Sequence, residues 1–134
     1  MKKSYFSGKI FLKNMVVVKI EVSYKTKKVK NLCTNLKKAK QKLGERISVE
    51  LFSLVNLLHS AANLQDINAM QIYKMHALRG KMEGLYSLDI GGRKSSYRLI
   101  IAPIDATIEE KTNLVEFYSH VEIIRIEEVS KHYE

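Results

Sequence analysis

One glycine, Gly44, stands between two segments that repeat their apolar residues at helical spacing, and this join constrains the fold more than any other feature. Before it, Val29, Leu32, Cys33, Leu36, Ala39 and Leu43 recur three and four apart and make one apolar stripe. Thr26 is placed to cap that helix, and Gly44 to end it in the left-handed conformation glycine tolerates. After it, Ile47, Leu51, Leu54, Val55 and Leu58 continue the pattern over 45–62, with Val49, Phe52 and Leu57 widening the apolar arc. An arc that wide calls for packing on two sides, against the first helix and against a sheet. So short a link implies an antiparallel helical hairpin.

The flanking segments read as strands. Residues 15–24 alternate, with Val16, Val18, Ile20 and Val22 on one face and Val17, Lys19, Glu21 and Ser23 on the other, as in a half-buried strand. Beyond the hairpin, after a short irregular or helical turn over 63–71, three strands are expected over 72–78, 85–90 and 97–102. They are separated by R-G-K-M-E-G and G-G-R-K-S, whose glycines suit turns. Pro103 closes the third strand, 104–119 reads as a polar loop with some local structure, and 120–129 forms the last strand. The order β-α-α-β-β-β-β is α+β: an N-terminal strand, an antiparallel helical hairpin, then a mostly antiparallel sheet of four further strands. With 134 residues and 46% hydrophobic content the chain suits one core, so 15–134 is expected to be a single domain. Residues 1–14 show no clear period and read as a flexible arm, or as the product of an upstream start codon with Met15 as the usual one.

Charge is unevenly spread. Residues 1–44 hold thirteen lysines against the single acid Glu21, a net of +12, whereas 45–134 carry ten basic and thirteen acidic side chains, a net of −3. So concentrated a positive end favours a polyanionic partner through counterion release, where a plain solubilising role is the alternative. Lys27, Lys38 and Lys42 fall opposite the apolar stripe of the first helix and are candidate RNA contacts. An anionic membrane is disfavoured because the chain has no tryptophan and the basic helix carries only small and medium apolar residues. The apolar run at 15–18 is bounded by Lys13 and Lys19, far short of the roughly 20 residues a membrane helix needs. A single cysteine excludes an internal disulfide framework and fits a reducing compartment, so a cytoplasmic location is expected.

The histidines at 59, 76, 120 and 132 show no metal-ligand spacing, no phosphate-binding loop is present, and Cys33 lies on the buried stripe. No metal and no cofactor is expected. A cationic site remains. Cleaving RNA through its own 2′-hydroxyl needs a base for that proton, cations for the crowded phosphate and an acid for the leaving 5′-oxygen. His76, Arg79, Lys81, Arg98, His132 and Tyr133 can supply these if they share one face, arginine binding phosphate oxygens through its planar fork.

The stretch over 74–101 contains H-A-L-R-G, then G-L-Y-S-L, then Y-R-L-I, in that order. With the K-A-K-Q-K-L-G that closes the first helix and the N-L-Q-D-I before the meander, it resembles the RelE/HigB family. These are ribosome-dependent mRNA endonucleases of type II toxin–antitoxin pairs, within the RelE/ParE superfamily of plasmid maintenance killer proteins. The resemblance covers the chain from about Met15 to its end. It implies a RelE-like fold and a catalytic groove lined by His76, Arg79 and Arg98. In place of the family's terminal aspartate-tyrosine-histidine triplet stands Lys131-His132-Tyr133, which puts His132 and Tyr133 in swapped order. Many members carry an arginine where this chain has Asp89, a loss that Arg93 or Lys94 would have to offset from the adjoining turn. Lys27, Lys38, Lys42, Lys81, Arg93 and Lys94 are the expected RNA-binding set. The implied partners are a helix-turn-helix, HigA-like antitoxin, the ribosome and mRNA. The same fold also serves non-enzymatic modules, namely gyrase-inhibiting ParE-like toxins and killer-suppression proteins. A weakly active RNA-binding relative is the third alternative.

Overall fold

Asn35 divides what the apolar stripe presents as one helix. In the computed structural model, which describes residues 4–6, 9–12, 15–92, 94–105 and 113–131 and side chains from Lys19 onward, α1 spans Lys27–Thr34 and α2 spans Leu36–Leu43. Asn35 is extended, at φ −117° and ψ 101°. Its N–H donates to the Asn31 carbonyl to end α1, and its Oδ1 accepts from the Lys38 amide at 3.1 Å to start α2. The break turns Leu36 outward, 39% exposed, while Cys33 and Ala39 stay buried. Thr26 caps α1 by accepting from the Val29 amide. Gly44, at φ +83°, then reverses the chain into α3, Glu45–Ser60, and α2 packs along α3 as the expected hairpin.

The sheet has five strands in the order β4-β8-β7-β6-β5, formed by Glu21–Tyr24, Ile123–Lys131, Tyr97–Pro103, Tyr86–Asp89 and His76–Ala77. All neighbours are antiparallel except β4 and β8, which run parallel with Val22 opposite Ile124. The α+β class and the helical hairpin with a mostly antiparallel sheet are therefore as expected.

Several elements differ from the pattern-based reading. The alternating run over 15–24 is two strands: β3, Met15–Val18, pairs with β2, Lys9–Leu12, whereas β4 joins the main sheet. β1, Ser4–Phe6, completes a separate three-stranded antiparallel sheet, so the segment read as a flexible arm holds two strands. Alternation cannot reveal this break, because Lys19 and Ile20 keep the in–out order between the two pairings. The strand expected over 72–78 shrinks to His76–Ala77. A 3-10 turn over Gln71–Tyr73 precedes it, Lys74 adopts φ +45°, and Ile72 is left 66% exposed. The region over 104–119 contains α5, Leu114–His120, capped by Asn113 accepting from the Glu116 amide at 2.8 Å. His120 thus ends a helix and does not begin the last strand. A short α4, Leu64–Asn68, supports the helical side.

All of the helices that pack the core lie against one sheet face. Leu51, Leu54 and Leu58 of α3 are fully buried with Leu88, Leu99, Ile101, Ile124 and Ile126 from β6, β7 and β8. Each such side chain contributes about 1.5–3 kcal/mol by leaving water. Val49, counted in the wide apolar arc of α3, is instead 47% exposed. Tyr86, Phe117 and Tyr118 close one end as an aromatic trio, the two tyrosine rings meeting edge to face at 5.7 Å. Among the described residues no helix is long and apolar enough to cross a membrane.

Because Asn35 both ends one helix and begins the next, Asn35→Ala is expected to lower stability by about 1 kcal/mol in urea denaturation. An unchanged midpoint would show that the break is held by packing and not by the cap.

A candidate nucleic-acid groove on the open face of the sheet

Strand alternation sorts the meander into two sets. Tyr86 and Leu88 of β6 and Leu99 and Ile101 of β7 face the helices, so Ser87, Asp89, Arg98 and Ile100 face the other way. On β8, Ile124 and Ile126 point into the core, and a register shift opposite Ile100 and Ile101 inserts Glu127 as an extra residue. Glu128 and Ser130 thereby come onto the outer face. Together with His76 and the bordering Lys74, Leu78 and Met82, these side chains line a groove of about 520 Å³.

Two cross-strand rows run across it. One is His76–Ser87–Ile100–Glu128, the other Asp89–Arg98–Ser130. In the second row Arg98 Nε forms an ion pair with Asp89 Oδ1 at 3.0 Å, with the side chains only 17% and 6% exposed. Arg98 Nη1 also donates to the carbonyls of Ser95 at 2.7 Å and Tyr97 at 2.9 Å. Three contacts thus hold the guanidinium, and Nη2 makes no hydrogen bond among the described residues. His76 is exposed, and its Nδ1 donates to the Lys74 carbonyl at 2.9 Å, so Nδ1 carries the proton and Nε2 is the nitrogen able to exchange one. The positive φ of Lys74 aims that carbonyl.

The groove therefore mixes charges, with Lys74, His76 and Arg98 facing Asp89 and Glu128. His76 and Arg98 come together here. Arg79 is exposed at the start of the 3-10 turn over Gly80–Met82 and does not line the groove; Lys81 lies on the same turn, and Lys94 is exposed in the β6–β7 turn. Arg93, His132 and Tyr133 lie outside the described residues. Arg125 pairs with Glu127 at 2.6 Å, as its sequence neighbourhood suggests, and this contact holds the guanidinium in its charged form. His59 sits on α3 beside the Tyr24 hydroxyl at 3.4 Å, where burial pushes its imidazole toward the neutral form. Burial likewise pushes the Cys33 thiol up to about 12, which removes it as a nucleophile at neutral pH.

The dense lysines gather elsewhere. Lys27, Lys28, Lys38 and Lys42 line a second groove of about 590 Å³ between α1 and α2, with Asn31, Gln41 and Leu32. An adjoining cleft of about 560 Å³ between α1 and β8 shares Lys28 and Lys42 with it and Glu128 with the sheet groove. In that cleft the Lys131 ammonium stands 5.7 Å over the Tyr97 ring. Glu128 escaped the motif-based reading, and Asp89 entered it only as a lost arginine and not as the partner of Arg98, but the sequence holds signals for both. Counting back through the Gly91–Gly92 turn opposes Asp89 to Arg98, and the three-residue step from Ile126 to Val129 breaks a period of two where the bulge sits.

No family model matches the chain, and no curated protein matches it significantly. Among solved structures it is similar to the crystal structure of a histidine-to-glutamine mutant of YafQ from E. coli, at 19% identity. The match covers 86% of this chain and 93% of that one with a TM-score of 0.45.

Removing Asp89 would strand a nearly buried guanidinium. Asp89→Ala is expected to cost about 3 kcal/mol in denaturant unfolding, and adding Arg98→Met should recover much of it. Additive losses in the double variant would mean that the two side chains do not act as a pair.

Proposed function

We propose that this chain is the toxin of a type II toxin–antitoxin pair, a metal-independent endoribonuclease that cuts mRNA at the ribosome by attack of the RNA's own 2′-hydroxyl. One observation carries the reading: the ordered motif over 74–101 folds so that His76 and Arg98 share a groove on a sheet face left open by the described helices. In this reading the Nη2 edge of Arg98, the guanidinium being held by Asp89, Ser95 and Tyr97, binds a phosphate oxygen as negative charge builds in the transition state. His76 exchanges a proton through Nε2. Arg79 and Lys81 steer the strand from outside the groove, on the turn that carries Met82, with Arg93 and Lys94 acting from the next one. His132 and Tyr133 complete the catalytic set.

Lys27, Lys38 and Lys42 dock on ribosomal RNA, a contact that four lysines around one groove suit without base specificity. A HigA-like helix-turn-helix antitoxin would be the partner that restrains the activity. The compartment is the cytoplasm, where mRNA is translated, and 15–134 acts as one domain.

The Asp89–Arg98 ion pair favours a second reading, a non-enzymatic toxin-fold module such as a gyrase ligand, because it offsets the cation a nuclease needs. Sequencing of RNA 5′ ends after induction separates the two. New ends within translated codons support the nuclease; DNA damage without them supports the gyrase ligand.

Expression alone is expected to arrest growth, with cuts in translated mRNA. Arg98→Ala should reduce cleavage about 100- to 1000-fold, the usual loss for one transition-state donor. Undiminished cutting would remove Arg98 from the mechanism. Changing Lys27, Lys38 and Lys42 together to alanine should lower the slope of log affinity for RNA against log salt by about 2, measured by filter binding. An unaltered slope would place the contact surface elsewhere.

A further inference from the structure

Three carboxylates lie on or beside the sheet groove, and two are already engaged. Asp89 holds Arg98, and Glu127 holds Arg125 at 2.6 Å and Lys25 at 3.8 Å. Glu128 is exposed, lines the groove, and its side chain makes no ion pair or hydrogen bond among the described residues. The backbone aims it there: were there no bulge at Glu127, unbroken alternation from Ile126 would turn Glu128 into the core. Bulges recur where a side chain must be re-aimed beside a functional site.

Glu128 ends the row that His76 begins. Three interstrand steps separate their Cα atoms by about 14 Å. Between them stand Ser87 and Ile100, one small and one apolar, so no charge occupies the floor. Arg98 lies on β7 two residues from Ile100 on the same face. A base and an acid flanking a floor, with a phosphate-binding arginine at its side, is the arrangement that in-line cleavage of a phosphodiester requires, each group reaching about 2.6–3.2 Å to its proton.

We infer that Glu128 is the general base of this groove and His76 its general acid, an assignment that rests on the ribonuclease reading above. The Glu128 carboxylate takes the 2′-hydroxyl proton. The 2′-oxygen bonds to phosphorus as the bond from phosphorus to the 5′-oxygen breaks. The imidazolium of His76 gives its Nε2 proton to the departing 5′-oxygen. The products are a 2′,3′-cyclic phosphate and a 5′-hydroxyl, with one proton taken up at Glu128 and one released from His76. The Lys74 carbonyl, by holding Nδ1–H, keeps the imidazole in the orientation that uses Nε2.

The test is single-turnover cleavage by the full chain of an mRNA fragment on programmed ribosomes, with the cut position mapped first. Glu128→Gln is isosteric and removes no native contact, so it should fold as the parent does, checked by circular dichroism. It should slow cleavage by about 100-fold or more. Its affinity for the same fragment carrying a 2′-deoxy sugar at the cut should stay within about threefold, which a merely structural role would not predict. Replacing the bridging 5′-oxygen by sulfur gives a leaving group that needs no acid. That substrate should rescue His76→Ala and leave Glu128→Gln slow. Wild-type rates in Glu128→Gln, or rescue of Glu128→Gln by the sulfur substrate, would overturn the assignment of the base while the nuclease reading stands. A parent protein that leaves RNA uncut on programmed ribosomes would overturn both.

Discussion

Everything on the outer face of this sheet depends on the inner face being fully occupied. Leu51, Leu54 and Leu58 of α3 leave water only by packing on Leu88, Leu99, Ile101, Ile124 and Ile126, so the strands must present those residues to the helices. Strand geometry has a period of two, and a slip of one residue would exchange the whole apolar set for the polar one. The same burial that stabilises the core therefore sends Ser87, Asp89 and Arg98 to the opposite side, where the bulge at Glu127 adds Glu128. The groove is the complement of the core.

The electrostatics of the molecule are divided between two places. The lysine surplus lies mainly on α1 and α2, where four ammonium groups border one groove and like charges spread toward solvent. The sheet groove is close to balanced, with Arg98 paired to Asp89 while Lys74 and His76 share the groove with Glu128. Such a division suits a protein whose attraction to a polyanion and whose local chemistry are separate tasks. Diffuse lysines raise encounter and are screened by salt, whereas the anchored Arg98 is nearly buried and little screened. Its contacts to Asp89, Ser95 and Tyr97 lower its net charge in the groove but remove the conformational freedom that an exposed arginine would lose on binding.

The cleft between α1 and β8 joins these two regions. It shares Lys28 and Lys42 with the helical groove and Glu128 with the sheet groove, and Tyr97 sits within it beside Lys131. A single strand running from the helices around β8 would meet positive charge, then an aromatic ring, then the open face of the sheet. The short length of β4, which stops at Tyr24 opposite Ile126, leaves the later half of β8 uncovered by that strand for such a path.

How much of this was legible without coordinates can be judged from particular residues. The Gly44 reversal, the buried stripe through Cys33 and Ala39, and strands β6 and β7 follow from local period and turn chemistry, because each depends on residues close in the chain. Asn35 misled the reading: its cap interrupts a stripe whose period survives the interruption. The strand expected over 72–78 failed because Lys74 adopts a left-handed conformation that no local pattern announces. By itself the sequence determined the elements, their apolar faces and the surplus of charge, all of them properties of spacing and composition. Tertiary structure alone decided that Arg79 stays outside the groove and that Glu128 of β8 stands across it from His76 of β5. Those outcomes depend on interstrand register and on one inserted residue, which are settled only when distant strands pair.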